Sequence, residues 1–226
     1  MTQKNPSTSP RAPLTTEELE CLKANDLGRI KLTDEEKARL RDINKARQQE
    51  RSERAKRLRI EEEPILAELR AVGWKIESVW DLVNTPMRYT EAIPILLRHL
   101  SLPYSDRIRE GIARSLAVSE PEVYKAWSTL VEEYRKAPTG WGFIALGDAK
   151  EYRLGAKDAL ACALSVAVTD ETLPELIALA KDHTQGESRV LLLPALKKRK
   201  NKSSVVAQTI DELIGDPELK KEIASW

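Results

Sequence analysis

The sequence predicts an all-α protein, and three observations lead there. Aromatic residues are 5% of the 226, and glycine occurs only 9 times, too seldom for a sandwich or barrel with a turn every ten residues. Charged side chains make up 32%, a proportion suited to solvated helix faces. Beyond residue 85 the apolar residues recur at helical spacing, in short segments that come in pairs.

Residues 1–13, MTQKNPSTSPRAP, are polar and proline-rich and are expected to form a disordered tail. They lack the apolar core of a signal peptide, and no run approaches the ~18 apolar residues of a membrane span, so no membrane association is expected. Cys21 and Cys162 are far apart and form no CxxC pair, which fits a reducing cytoplasm.

Residues 14–60 read as a charged helical arm. Thr15 can cap a short helix, with Glu18 returning the bond and Leu19 and Leu22 on one face. Thr33 and Glu36 make a second capping box, which opens a long segment reaching Ile60. Its apolar stripe is thin: Leu40, Ile43 and Ala46, then Ala55 and Leu58. Residues 37–59 hold ten Lys or Arg and three acids, so this helix has little to bury. It is either solvated or docked on an acidic protein or a nucleic acid, and no aromatic residue is interleaved to stack on bases.

At EEEPILAELRAVG the pattern becomes amphipathic, and the domain boundary is placed near residue 61, with 61–226 as the main domain. Pro64 suits the first turn of a helix, the three acids complement its positive N-terminal end, and Gly73 is a fitting stop. Ser78 can cap a short helix carrying Val79, Trp80, Leu82 and Val83.

Four first helices follow: residues 91–100, 122–134, 172–182 and 205–216. The apolar frame of their partners aligns Ile108, Ile112 and Leu116 with Ala156, Leu160 and Leu164, then with Leu192 and Leu196, then with Leu219 and Ile223. That alignment puts Arg109, Lys157, Arg189 and Lys220 in one register, at intervals of 48, 32 and 31 residues. The first interval is stretched by the insertion APTGWGFIALGDAKEY, residues 137–152. A period near thirty means a solenoid of stacked helical hairpins.

The segment AIPILLRHLSLPYSDRIREGIARSLAV resembles a HEAT repeat. It has a proline early in the first helix, a connecting turn with Asp106, and an apolar residue followed by Arg109 in the second helix. Pro174 repeats the proline, and DPELKKEIASW partly repeats the turn. The resemblance covers about residues 85–226, plus a half repeat from 64 to 84, and it implies a right-handed α-solenoid of about four HEAT-like hairpins of bacterial type. It also implies a structural ladder in which Asp106, Arg109, Arg189 and Lys220 link successive repeats. The departures are Lys157 in place of Arg, Gly186 where Asp is expected, and Pro194 inside a second helix, which should kink that helix or end it early.

Few residues invite chemistry. His99 and His183 stand without a Cys or His at metal-ligand spacing, and Cys162 lies along an apolar helix. No phosphate-binding, dinucleotide, nucleophile-elbow or zinc-protease motif is present. No catalytic residue, cofactor or metal is therefore assigned, although 36 acids leave a two-carboxylate enzyme open. Trp80 and Trp127 belong to apolar faces, whereas Trp141, in PTGWGF, can project as a flat anchor. The run LKKRKNK, residues 196–202, is either a solvated helix end or a phosphate contact.

Residues 1–63 carry 15 basic and 13 acidic side chains and residues 64–226 carry 22 and 23, so the main domain is neutral. A surface of mixed sign suits a protein partner better than a polyanion. The leading expectation is a non-enzymatic adaptor that binds a protein on the concave face of the array, through Arg107, Glu110, Arg114, Lys157 and Asp158, with Trp141 as anchor. The alternative is a DNA-binding HEAT-like protein resembling a repair glycosylase, with Asp158 as its carboxylate. The oligomeric state is left open.

Overall fold

The computed structural model describes residues 11–22 and 29–226, and these are predominantly helical. They divide into two compact units, Met1–Ala55 and Lys56–Trp226. Most of the tail expected at 1–13 lies outside the described residues.

In the first unit the capping boxes are formed as read. Thr15 accepts from the Glu18 amide and its own amide donates to the Glu18 carboxylate, opening α1, Thr16–Cys21. Thr33 and Glu36 repeat the exchange at 3.2 and 2.8 Å at the start of α2, Asp34–Ala71. Glu36 is fully buried and also receives the Leu14 amide at 2.7 Å and the Arg11 guanidinium at 2.8 Å. Those bonds to its charged form, the Leu14 and Thr33 amides first, hold its carboxyl below the usual range.

Helix α2 is longer than the sequence suggests. It runs without a break through residue 61, and Pro64 sits inside it rather than in a first turn. Pro64 removes one backbone donor, but Ile60, whose carbonyl would have used it, is 77% exposed and water can take over. The helix ends where expected: Gly73 has φ +98°, and the Trp74 amide reaches back to the Leu69 carbonyl at 3.1 Å.

The second unit holds a continuous apolar core from Ile65 to Ile223. The short helix α3, Trp80–Val83, is tied to α2 by Glu62, which accepts from the Val79 amide at 2.7 Å and the Ser78 hydroxyl at 3.0 Å. A 3₁₀ turn, Thr90–Ala92, leads into α4, Ile93–Leu100, and α5 follows at Asp106–Ser115. The segment expected as one helix over 122–134 is two, α6, Pro121–Lys125, and α7, Trp127–Lys136, with a change of direction at Ala126. Then come α8, Ala156–Ala167, and α9, Leu173–Lys181, the latter with Pro174 in its first turn.

The next second helix differs in kind. Residues His183–Leu192 form two short 3₁₀ stretches separated by a kink at Gly186, whose φ of +66° is non-helical, and Pro194 lies in the first turn of the helix that follows, α10, Leu193–Lys197. Pro194 thus starts an element instead of breaking one, because a first turn needs no donor from it. Helices α11, Ser204–Leu213, and α12, Lys220–Ile223, complete the chain, with the Ser203 hydroxyl accepting from the Val206 amide.

The packing order follows the alternation. Helix α5 packs against α4 and α8, and α8 in turn against α7 and the 183–192 segment, so the second elements lie side by side in chain order. The one sheet among the described residues is a two-residue antiparallel ladder, β1, Trp141–Gly142, and β2, Tyr152–Arg153, wholly inside or next to the insertion.

Candidate functional site

Helix α5 carries the first three residues of the expected contact strip at spacings of three and four, which puts them on one face. Arg107 donates to Glu110 at 2.8 Å, and Arg114 donates to the other Glu110 oxygen at 3.0 Å. The Arg107 guanidinium lies 3.8 Å above the Trp80 ring, and that of Arg114 lies 6.0 Å away. The strip is therefore internally paired, and all three side chains are half-buried. Gly155 lies so close that an added Cβ would meet the Glu110 carboxyl carbon at 2.4 Å.

Asp106, one turn earlier, joins α5 to α8. Its two oxygens accept from the Gly155 and Ala156 amides at 2.8 and 3.1 Å, capping α8 from another hairpin. Burial pushes its carboxyl up while those two amides pull it down, and burial prevails. Arg109 donates to the buried Glu133 on α7 at 2.7 Å.

The later members of the register find different partners. Lys157 is buried; its ammonium donates to the Ala137 carbonyl at the end of α7 at 3.1 Å and lies 4.9 Å from the Tyr134 ring. Burial drives its pKa down, and it has a place in a cleft wall rather than on an open face. Arg189 is fully buried and donates to Asp216, Glu218 and the Ala180 carbonyl. Lys220 is exposed at the start of α12, and its side chain makes no hydrogen bond or ion pair among the described residues.

Trp141 is 70% exposed, and two neighbours that the sequence did not single out accompany it: Phe143 at 60% and Leu146 at 79%. This is not a loose loop. The β1–β2 ladder closes its base, the Arg107 amide donates to the Ile144 carbonyl at 3.0 Å, and Asp148 receives Arg57 at 3.3 Å and the Ala145 amide at 3.0 Å. The insertion is stapled at both ends of its turn while its largest apolar side chains face water.

Beside Trp141 lies a cleft of about 490 Å³, walled by Arg153, Lys157, Asp158, Glu187 and Glu218. A second hollow of about 480 Å³ shares four of these residues and adds Val190, Leu191 and Pro217. Arg153 crosses between the acids, 3.2 Å from Glu187 and 3.7 Å from Asp158. Burial raises the Asp158 carboxyl, although Arg153 and Arg114 draw it down. Glu187 and Glu218 escaped sequence reasoning because they come from separate hairpins, one in the 183–192 segment and one in the turn before α12; a loop mixing glycines with Trp, Phe and Leu was the one available signal for Phe143 and Leu146.

Ser188 of the cleft lining and the fully buried Tyr134 behind it form one cluster of catalytic residue types. Tyr134 and Ser188 share a hydrogen bond of 2.9 Å, but the single Ser188 proton goes to the Gln185 carbonyl, so the Tyr134 hydroxyl donates to Ser188. Burial pushes the Tyr134 pKa up to about 12, which keeps that phenol protonated. The cluster ties α7 to the 183–192 segment and leaves neither oxygen as an activated nucleophile.

His99 is buried between Tyr104 and Glu68, at 2.8 and 3.1 Å, while His183 is exposed. Among the described residues no group of three His, Cys, Asp or Glu could hold a metal ion, and no helix is long and apolar enough to cross a membrane. Comparisons with protein-family models, with curated proteins and with solved structures return no match.

Proposed function

We propose that this protein is a non-enzymatic interaction module, a HEAT-like right-handed array of helical hairpins that docks a partner protein on the face carrying the insertion. The observation that supports this reading best is the exposure of Trp141, Phe143 and Leu146 on a segment held by backbone bonds at its base and its tip. Apolar side chains of this size cost solubility in water, and a stapled loop meets a partner without losing further conformational entropy.

The side-by-side second elements and their cross-hairpin bonds from Asp106, Arg109 and Arg189 support the solenoid reading, in which those elements form the inner wall. On this reading Arg107, Glu110 and Arg114 form a polar border, and Asp158, with Arg153, Glu187 and Glu218, supplies the mixed-charge cleft beside the anchor. A partner segment that brings one apolar residue flanked by charges of both signs complements it.

The test begins with an affinity-tagged copy in its own cell extract, followed by purification of the retained protein and titration of the pure pair. Trp141→Ala should weaken that binding by at least about tenfold, roughly 1.4 kcal/mol, with no change in the far-UV spectrum. Equal affinity for the variant and the parent protein would move the docking face elsewhere.

A further inference from the structure

We propose that the lysine cluster of residues 197–202 is a second binding surface, which takes the phosphodiester backbone of duplex nucleic acid without regard to base sequence. Lys197, Lys198, Lys200 and Lys202 are all exposed. Among the described residues the one ion pair of this segment belongs to Arg199, which lies 3.6 Å from Asp170. Arg199 is also the residue that fixes the turn: it donates to the Ala195 carbonyl at 3.2 Å and to the Val168 carbonyl, at the end of α8, at 2.9 Å. With the arginine turned inward, the four ammonium groups are left outward.

Arg107, Arg109, Arg114, Arg135, Arg153 and Lys181 each face a carboxylate. Other cations of this unit, Lys125, Lys220 and Lys221 among them, also make no ion pair among the described residues, so what distinguishes 197–202 is the density of four exposed lysines in one short run. Here four cations go uncompensated in a chain whose formal net charge is +1. Cations at a helix C-terminus complement its dipole, but that effect fades within the last turn, and α10 ends at Lys197. Lys200 and Lys202 lie beyond it, and of the two only Lys200 has a neighbour for its ammonium among the described residues, the Trp226 ring.

Trp226 narrows the class of ligand. The ammonium groups of Lys197 and Lys200 lie 5.4 and 6.0 Å from its ring centroid, which holds these two cations on one side. Its indole nitrogen donates to Glu222 at 3.4 Å. A half-buried ring held under two ammonium groups is poorly placed to stack on an unpaired base or to insert among lipid headgroups. Apart from Glu222 at the indole and Asp170 beside Arg199, what the surface offers is a run of positive charge, and the complement of that is a line of phosphates.

The experiment is fluorescence anisotropy of the full chain with a short labelled duplex of random sequence, over about 50 to 200 mM salt. If the four lysines each neutralise one phosphate, the log–log slope should be about −3.6, a loss of about 150-fold over that range. Replacing Lys197, Lys198, Lys200 and Lys202 together by Gln should weaken binding at least about tenfold and bring the slope most of the way to zero. The pair Lys198→Gln and Lys202→Gln, which leaves the Trp226 contacts in place, should remove about half of the slope and serves if the fourfold variant does not fold. The proposal is overturned by no binding at the lowest salt, by slopes unchanged in both variants, or by lysine-dependent binding to phosphatidylserine vesicles or polyglutamate that is tighter than binding to the duplex.

Discussion

Arg189, with none of its side chain exposed, donates to Asp216 at 2.6 Å and so ties the 183–192 segment to the turn before α12. It also holds the Ala180 carbonyl at 3.1 Å, so one guanidinium joins three elements. A buried charge pair adds little net stability, but removing one member strands the other. Arg189→Ala should therefore lower unfolding free energy by roughly 3–5 kcal/mol, read as an earlier midpoint in urea at unchanged slope. Arg189→Lys should recover only part of this, since an ammonium cannot serve Asp216, Glu218 and a carbonyl in one planar fork.

The bonds from α5 are more modest. Arg109→Ala leaves the buried Glu133 with Lys136, 3.5 Å away, as its one partner among the described residues and should cost roughly 1–3 kcal/mol. Asp106→Ala removes the cap of α8 and should cost about 1–2 kcal/mol, with Asp106→Asn losing less because one acceptor oxygen remains. Thermal melts of the three variants check both values, and an unchanged melt for Arg109→Ala would remove it from any structural ladder.

Gly111 has no room for a side chain: an added Cβ would lie 2.6 Å from Val79 Cγ2 and 2.9 Å from Trp80 Nε1. Gly111→Ala should destabilise by about 1–3 kcal/mol through overpacking, despite the better helix propensity of alanine. A tryptophan emission spectrum that shifts along with the melt would locate the strain at Trp80.

Two carboxylates should give pH dependences of opposite sign. Burial raises Glu62, against the pull of the Val79 amide and the Ser78 hydroxyl. Its folded form binds a proton more tightly than the unfolded chain, so stability declines as pH rises from about 4.3 toward the raised value. Burial also acts to raise Asp216, but the Arg189 bond, the Glu218 amide and the His183 charge outweigh it and leave it depressed. Its contribution is present above about 3.9 and is lost as pH falls through the lower folded value. Glu62→Gln, which keeps an acceptor for Val79, should melt at the same or a higher temperature at neutral pH. Asp216→Asn should melt lower there and converge on the parent protein in acid; melting curves across pH check both.

Replacing Trp141, Phe143 and Leu146 together by Ser should change stability by less than about 0.5 kcal/mol, because exposed side chains contribute little to folding. Binding of a hydrophobic dye to the native protein should fall. A large loss of stability would instead make the three residues part of the fold.

Much of this architecture was legible in the chain because the signals are local. The Thr15–Glu18 and Thr33–Glu36 boxes and the Gly73 stop each depend on residues within one turn of each other. Apolar spacing likewise determined that residues 85–226 form short paired helical segments, since one side of each must leave water. Local signals misjudged Pro64 and Ala126, where the helix respectively continues and turns.

Only the tertiary structure decided what each charge does. Lys157 and Asp158 are neighbours in sequence and both line the cleft, yet the Lys157 ammonium is buried on the Ala137 carbonyl while the Asp158 carboxylate meets Arg153, because successive helical positions are turned by about 100°. Glu133, Asp216 and Glu218 acquire their partners from segments more than twenty residues away, and no spacing rule reaches that far. A helix face can be read from periodicity, but the direction in which neighbouring hairpins present their turns is set by how whole cores pack, and that is where this protein assembles its cleft.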